Sequence, residues 1–250
     1  MSESENIYQA PEASLREPVQ AGEYGSVEKA LAGDYELNPI EAMKDAWNNL
    51  SGMKGSFWGG MAMYVILTMV FEFIGIMIFG TPEAGAFPSG PAMLYGVVKM
   101  IVLVPVSIGL MIIAIKHSVG ARTEATEVFK HFDKIVPLFV TSILMYLLVG
   151  VGLLLLIIPG IYLLIAFSMA MLLVVEKDMG PWEALNTSRK AITHNWFSML
   201  GFSVVSFIVM LLGFLAFFIG IVWALPLIML AFATVYRDMF GVEASTLAES

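Results

Sequence analysis

Hydrophobic positions in this chain come in long runs rather than at helical or strand spacing, and the runs begin only at residue 57. Residues 57–79 and 91–115 are two of them, each broken once, by Glu72 and by Lys99. A hydrocarbon core of roughly 30 Å needs about 20 apolar helical residues, so each run predicts one membrane-spanning helix. Residues 138–175 are too many for one crossing and contain Pro159 and Gly160. Proline withholds a backbone donor and glycine tolerates a tight turn, so this run predicts a hairpin of 138–158 and 161–175, turning at Pro159–Gly160. Residues 197–236 divide in the same way at Gly220, into 197–217 and 221–236. The pattern predicts an all-α membrane protein with six transmembrane helices. The second helix of each later hairpin is short, which leaves a re-entrant element open at 161–175 and 221–236.

The polar stretches between the runs carry a pattern of their own. Asn38-Pro39-Ile40-Glu41-Ala42-Met43 recurs as Gly180-Pro181-Trp182-Glu183-Ala184-Leu185, with a looser copy at Thr123-Glu124-Ala125. Proline in a first turn sacrifices no hydrogen bond, and an acid there complements the helix dipole. Pro39, Glu41, Glu124, Pro181 and Glu183 therefore mark three helix starts. Each helix would present apolar residues among charges, as interface-lying helices do: Ile40, Met43 and Trp47; Val128, Phe129 and Phe132; Trp182, Leu185 and Ile192. From each glutamate to the next turn glycine the separations are 39, 36 and 37 residues. The expected architecture is three repeats of an amphipathic interfacial helix plus a transmembrane hairpin. Trp58 and Trp196 stand near span starts, where indole favours the headgroup boundary.

Charge adds orientation. Twelve of the 13 Lys and Arg lie before the first span, in 116–137, in 176–196 or just after the last span, and the opposite connections hold none. Basic loops face the cytoplasm, so both termini are expected there, in a bacterial cytoplasmic membrane. The formal net charge of −8 is concentrated in residues 1–37, which carry eight acids and two bases. The expected domains are an acidic, largely disordered tail (1–37), a membrane domain (38–240) and a short C-terminal tail (241–250). In the first of these, Asn6–Pro11 is the one apolar-aromatic cluster and a weak docking candidate. The acidic balance argues against a nucleic-acid partner. The absence of cysteine removes disulfides and thiolate chemistry.

Candidate chemistry is sparse. Glu72 and Lys99 lie at similar depth on adjacent antiparallel helices, roughly 10 and 12 Å from the same end, and are expected to pair. Such a pair sets hairpin register, or else serves ion or proton passage. His117, His131 and His194 fall among basic residues without metal-ligand spacing, so neither metal nor cofactor is expected. Glu176, Lys177 and Asp178 read as a solvated loop cluster. Arg189 and Lys190, after Ser188, are candidates for lipid-phosphate contact. No nucleophile elbow, phosphate loop or dinucleotide fingerprint is present.

The segments Ile158-Pro159-Gly160-Ile161-Tyr162-Leu163, Gly180–Leu185 with Ser188-Arg189, and Tyr236-Arg237-Asp238 resemble the YciC-like family of six-helix bacterial membrane proteins. That group is related to the membrane domain of certain glycerophosphodiester phosphodiesterases. The resemblance covers about residues 38–240 and implies a compact helical bundle in the cytoplasmic membrane. It transfers no catalytic residues, and no phosphodiesterase domain is attached. The function expected is a non-enzymatic membrane scaffold whose partners are the bilayer and an unidentified protein. The alternatives are a small transporter or channel and a lipid-handling protein. A continuous polar cavity across the bundle favours transport; a packed apolar centre disfavours it.

Overall fold

A computed structural model describes residues 24–81, 85, 87–215 and 219–248. In chain order the elements are α1 (Val27–Ala32), α2 (Pro39–Asn49), α3 (Lys54–Phe79), α4 (Gly90–Ser118), a 3₁₀ segment (Ala125–Lys134) and α5 (Ile135–Leu155). There follow α6 (Ile157–Ala166), α7 (Ala170–Glu176), α8 (Pro181–His194), α9 (Trp196–Leu215), α10 (Ile221–Phe240) and α11 (Ala244–Ala248). Among the described residues six spans are long and apolar enough to cross a membrane: α3, α4, the 3₁₀ segment with α5, α6 with α7, α9, and α10. The short helices outside the spans (α1, α2, α8 and α11) and most of the Lys and Arg gather at one end of the bundle, called here the basic end.

The starts of the short helices are set locally. The Asn38 side chain accepts from the backbone N–H of Ile40 and Glu41 at 3.1 and 3.3 Å, ahead of Pro39 at the first position of α2. Pro181 occupies the same position in α8, with Glu183 in its first turn. Glu124 immediately precedes the 3₁₀ segment. That second element differs from the expected interfacial α-helix: it is 3₁₀, kinks at His131 and enters the bundle. Glycine is the reason it can enter. A Cβ on Gly109 of α4 would lie 2.6 Å from the Val128 Cα, and one on Gly60 of α3 would lie 2.8 Å from the Val128 side chain. Val128 is fully buried in that cleft.

The turn of the second hairpin is corrected as well. The chain reverses at Leu156, which is extended between α5 and α6, and Pro159 and Gly160 lie inside α6. Proline fits there because the first turn of a helix has no intrahelical use for its N–H groups. Gly160 serves close packing rather than a turn conformation: a Cβ on it would sit 2.7 Å from the Leu153 backbone nitrogen. In the third hairpin Gly220 stands immediately before α10. The α6–α7 span and α10 are each 20 residues, about 30 Å at 1.5 Å per residue, so both have the length for a full crossing.

Residues 24–37 do not share the expected disorder. The side chain of Ser26 accepts from the Lys29 backbone N–H to start α1, and Val27, Tyr35 and Leu37 pack on the main core. Residues 1–23, with Asn6–Pro11, lie outside the described residues. The C-terminal stretch folds back too, through Glu243 and α11.

The main core lies towards the basic end, around Phe57, Leu138, Leu172, Leu230 and Tyr236. Towards the other end apolar side chains such as Met77, Leu154, Ile158 and Phe207 are exposed. A bundle whose solvent is hydrocarbon has no need to cover such residues.

Candidate functional site

Glu72 and Lys99 meet in an ion pair across the first hairpin. Their side chains keep 59 % and 28 % exposure, so the pair sits on the perimeter, facing the surrounding medium rather than an internal passage. Nearby the Tyr95 hydroxyl donates to the Phe71 carbonyl, a second polar tie between the same two helices.

At the basic end the structure assembles polar groups that sequence reasoning passed over. Lys116, at the end of α4, donates to Glu127 of the 3₁₀ segment at 3.0 Å, with side chains only 2 % and 3 % exposed. Lys130 lies 3.9 Å from the same carboxylate. Charges this deeply buried persist only when paired and hydrogen-bonded. Lys116 looked like a topology determinant because nothing in the sequence shows which residue lies opposite it. One signal was available: Ile112 and Ile115 on its own turn and Val128 beside Glu127 leave both charges flanked by apolar positions.

Glu176 is a second correction. Its carboxylate, expected in solvent, is buried and central. It accepts from the Tyr236 hydroxyl at 2.9 Å, pairs with Lys177 at 3.2 Å and accepts the backbone N–H of Glu243. Lys177 also reaches Glu243 at 2.8 Å. This cluster ties α7 and α10 to the C-terminal segment. Ser188 is buried rather than at a headgroup surface: it donates to the Ala166 carbonyl at 2.7 Å and accepts the Met169 N–H at 3.3 Å. It thereby satisfies backbone groups freed where α6 breaks from α7. Arg189 bonds Asn186 within α8 at 3.0 Å, and Lys190 is exposed. These two bases converge with no other candidate.

Several further polar groups tie elements together at the basic end. His117 Nε2 donates to the Asn49 carbonyl at 2.8 Å, and His194 Nε2 donates to the Leu31 carbonyl at 3.0 Å. The Tyr35 hydroxyl donates to the Ala191 carbonyl at 2.8 Å, and burial pushes its ionisation above the ordinary tyrosine range. Arg237 donates to the Ser118 carbonyl at 2.8 Å and stacks on Tyr24. A small hollow of about 150 Å³ opens among Lys130, His131, Asp133, Lys134, Ser245 and Thr246. Among the described residues no group of three His, Cys, Asp or Glu could hold a metal ion.

Deeper in the bundle lies a cavity of about 440 Å³, between α4, α5, α6–α7 and α10. Met111, Met145, Met171, Met229, Phe167 and Phe232 dominate its wall. Ser107 lines it too, but its hydroxyl is bonded to the Val104 carbonyl. The Ser168 hydroxyl, in the α6–α7 break, is buried without a partner. The volume falls within the range of about 300–1,000 Å³ typical of ligand sites. Its lining is mostly apolar, with Ser107, Tyr146 and Ser168 the residues that bring hydroxyls to it.

Comparison with known proteins finds no counterpart: no family model, no curated protein and no solved structure matches this chain.

Proposed function

We propose that this is a non-enzymatic, multi-pass protein of a bacterial cytoplasmic membrane that organises other components from its basic end. In this reading the basic end and both termini are cytoplasmic, as the Lys and Arg distribution argues. The three segments starting at Pro39, Glu124 and Pro181 are then copies of one unit, each preceding a hairpin. The resemblance to the YciC-like group agrees with this reading in helix number.

One observation carries the proposal. The buried titratable groups of the basic end pair with one another, Lys116 with Glu127 and Glu176 with Tyr236 and Lys177, while α2 and α8 expose Ile40, Trp47 and Trp182 at about 60 % each. An enzyme site needs titratable groups converging on an open cleft; a platform needs firmly held apolar and aromatic anchors. Transport of a polar solute is disfavoured by the apolar lining of the central cavity and by the perimeter position of Glu72–Lys99. A lipid-handling role is the second reading, favoured by that cavity.

The test is site-specific photo-crosslinking from positions 47 and 182 in intact cells. A discrete protein adduct from both positions, lost in an Ile40→Glu variant that still inserts, supports the platform. Adducts to lipid alone overturn it, as does ion or solute flux in reconstituted vesicles.

A further inference from the structure

The central cavity can be assigned an occupant from its depth, its lining and the side to which it opens. Met111 lies seven residues before the end of α4, and Met145 and Met229 lie near the middle of α5 and α10. At about 1.5 Å per residue this places the cavity some 10–15 Å inside the bundle, close to the middle of a roughly 30 Å hydrocarbon core. Headgroups and glycerol esters do not reside at that depth; acyl chains do. Two lining residues, Tyr146 and Leu164, are 62 % and 59 % exposed. The cavity therefore opens sideways at mid-span, towards the chains themselves.

The lining excludes the other occupants. An ordered water needs two to four polar partners. Here the Ser107 hydroxyl donates to a carbonyl, the Ser168 oxygen is covered by its neighbours, and Tyr146 stands at the exposed mouth, so the inner wall offers no such set of partners. Ions and polar solutes meet the same refusal. A space left empty would forfeit dispersion contacts along every wall, which matter most in a membrane, where burial of apolar surface supplies no drive of its own. Four methionines line the space, and their flexible, unbranched side chains adapt to a guest without fixed shape.

We propose that this cavity binds one acyl chain of a bilayer lipid, and that the bound chain is a packing element joining the second hairpin to α10. The assignment is independent of the platform reading, because it concerns the hydrocarbon interior and its test never touches α2 or α8.

The experiment uses the full chain in vesicles of phosphatidylcholine and phosphatidylglycerol, with a small fraction of phosphatidylcholine carrying a mid-chain diazirine. Adducts are mapped by peptide mass spectrometry after irradiation. The expected result is labelling at Met145, Met171 and Met229 at least fivefold above that at Met69 and Met77, which face the medium on α3. Leu164→Trp, which narrows the mouth without entering the packed core, is expected to reduce the cavity adducts at least threefold and leave those on α3 unchanged. Native mass spectrometry of the wild type should retain one phospholipid after detergent washing strips the annular lipid. Uniform labelling of cavity and perimeter methionines overturns the proposal. So does retention of a different hydrophobic molecule, or a washed protein that carries no lipid.

Discussion

Lys99 and Lys116 stand 17 residues apart on α4, about 25 Å along its axis, and each meets a glutamate from a neighbouring element. The outer pair, Lys99–Glu72, joins two adjacent spans and stays on the perimeter; the inner pair, Lys116–Glu127, is almost wholly enclosed. The difference comes from what packs around them rather than from the residues. Outside, the Glu72–Lys99 side of the first hairpin is open to the surrounding medium. Inside, Gly60 and Gly109 let the 3₁₀ segment come close to α3 and α4 at Val128, the residue next to Glu127. A buried ion pair is costly to assemble and costlier to break by halves, whereas a peripheral one has surroundings that can readjust.

The largest break in this comparison comes from Lys116→Met. It strands Glu127 in the core and should cost about 3–5 kcal/mol, read as a fall in the thermal unfolding midpoint in mild detergent. The combined Lys116→Met, Glu127→Leu variant should recover most of the loss. If Lys99→Met proves equally damaging, enclosure is not what separates the pairs.

Glu176→Gln extends the comparison to the other enclosed carboxylate. Losing a charged acceptor for Tyr236, Lys177 and the Glu243 backbone should cost about 2–3 kcal/mol and speed hydrogen exchange at the C-terminal segment. Gly109→Ala sharpens the cause. The new Cβ meets the Val128 backbone, so about 2 kcal/mol of overpacking is expected. If the 3₁₀ segment covers Lys116, displacing it should also make Lys116 reactive to amine-directed acylating reagents; no gain in reactivity would mean that the segment does not provide the cover.

The smallest effect is expected at the perimeter. Glu72→Gln and Lys99→Met should each cost about 1 kcal/mol, and the double variant should lie closer to wild type than either single one. A double-mutant cycle with zero coupling would remove the pair as a determinant of hairpin register.

The two pairs also mark how far sequence reasoning reaches. Glu72 and Lys99 interrupt uniform apolar runs, and antiparallel helices of known pitch place them level, so their meeting could be anticipated. Lys116 and Glu127 are separated by the end of α4, a loop and the start of a 3₁₀ segment, a path with no fixed rise to calculate from. Glu176 beside Lys177 and Asp178 carries the composition of a solvated loop; its burial depends on Tyr236, 60 residues away. Pro159 shows the opposite failure. Its chemistry is compatible with a turn and equally with the first turn of a helix, and only the chain before it, extended at Leu156, decided between them.

The sequence by itself determined that the chain is built of apolar helices, their number, and the starting points of α2 and α8. Run length and capping chemistry act over a few residues and need no partner. Tertiary structure alone decided where the charges are enclosed, where the second hairpin turns, and that a mostly apolar cavity lies between α4, α5, α6–α7 and α10. Each of these depends on how closely two distant backbones approach. That distance is set by small residues and broken helices acting jointly, and hydropathy records neither.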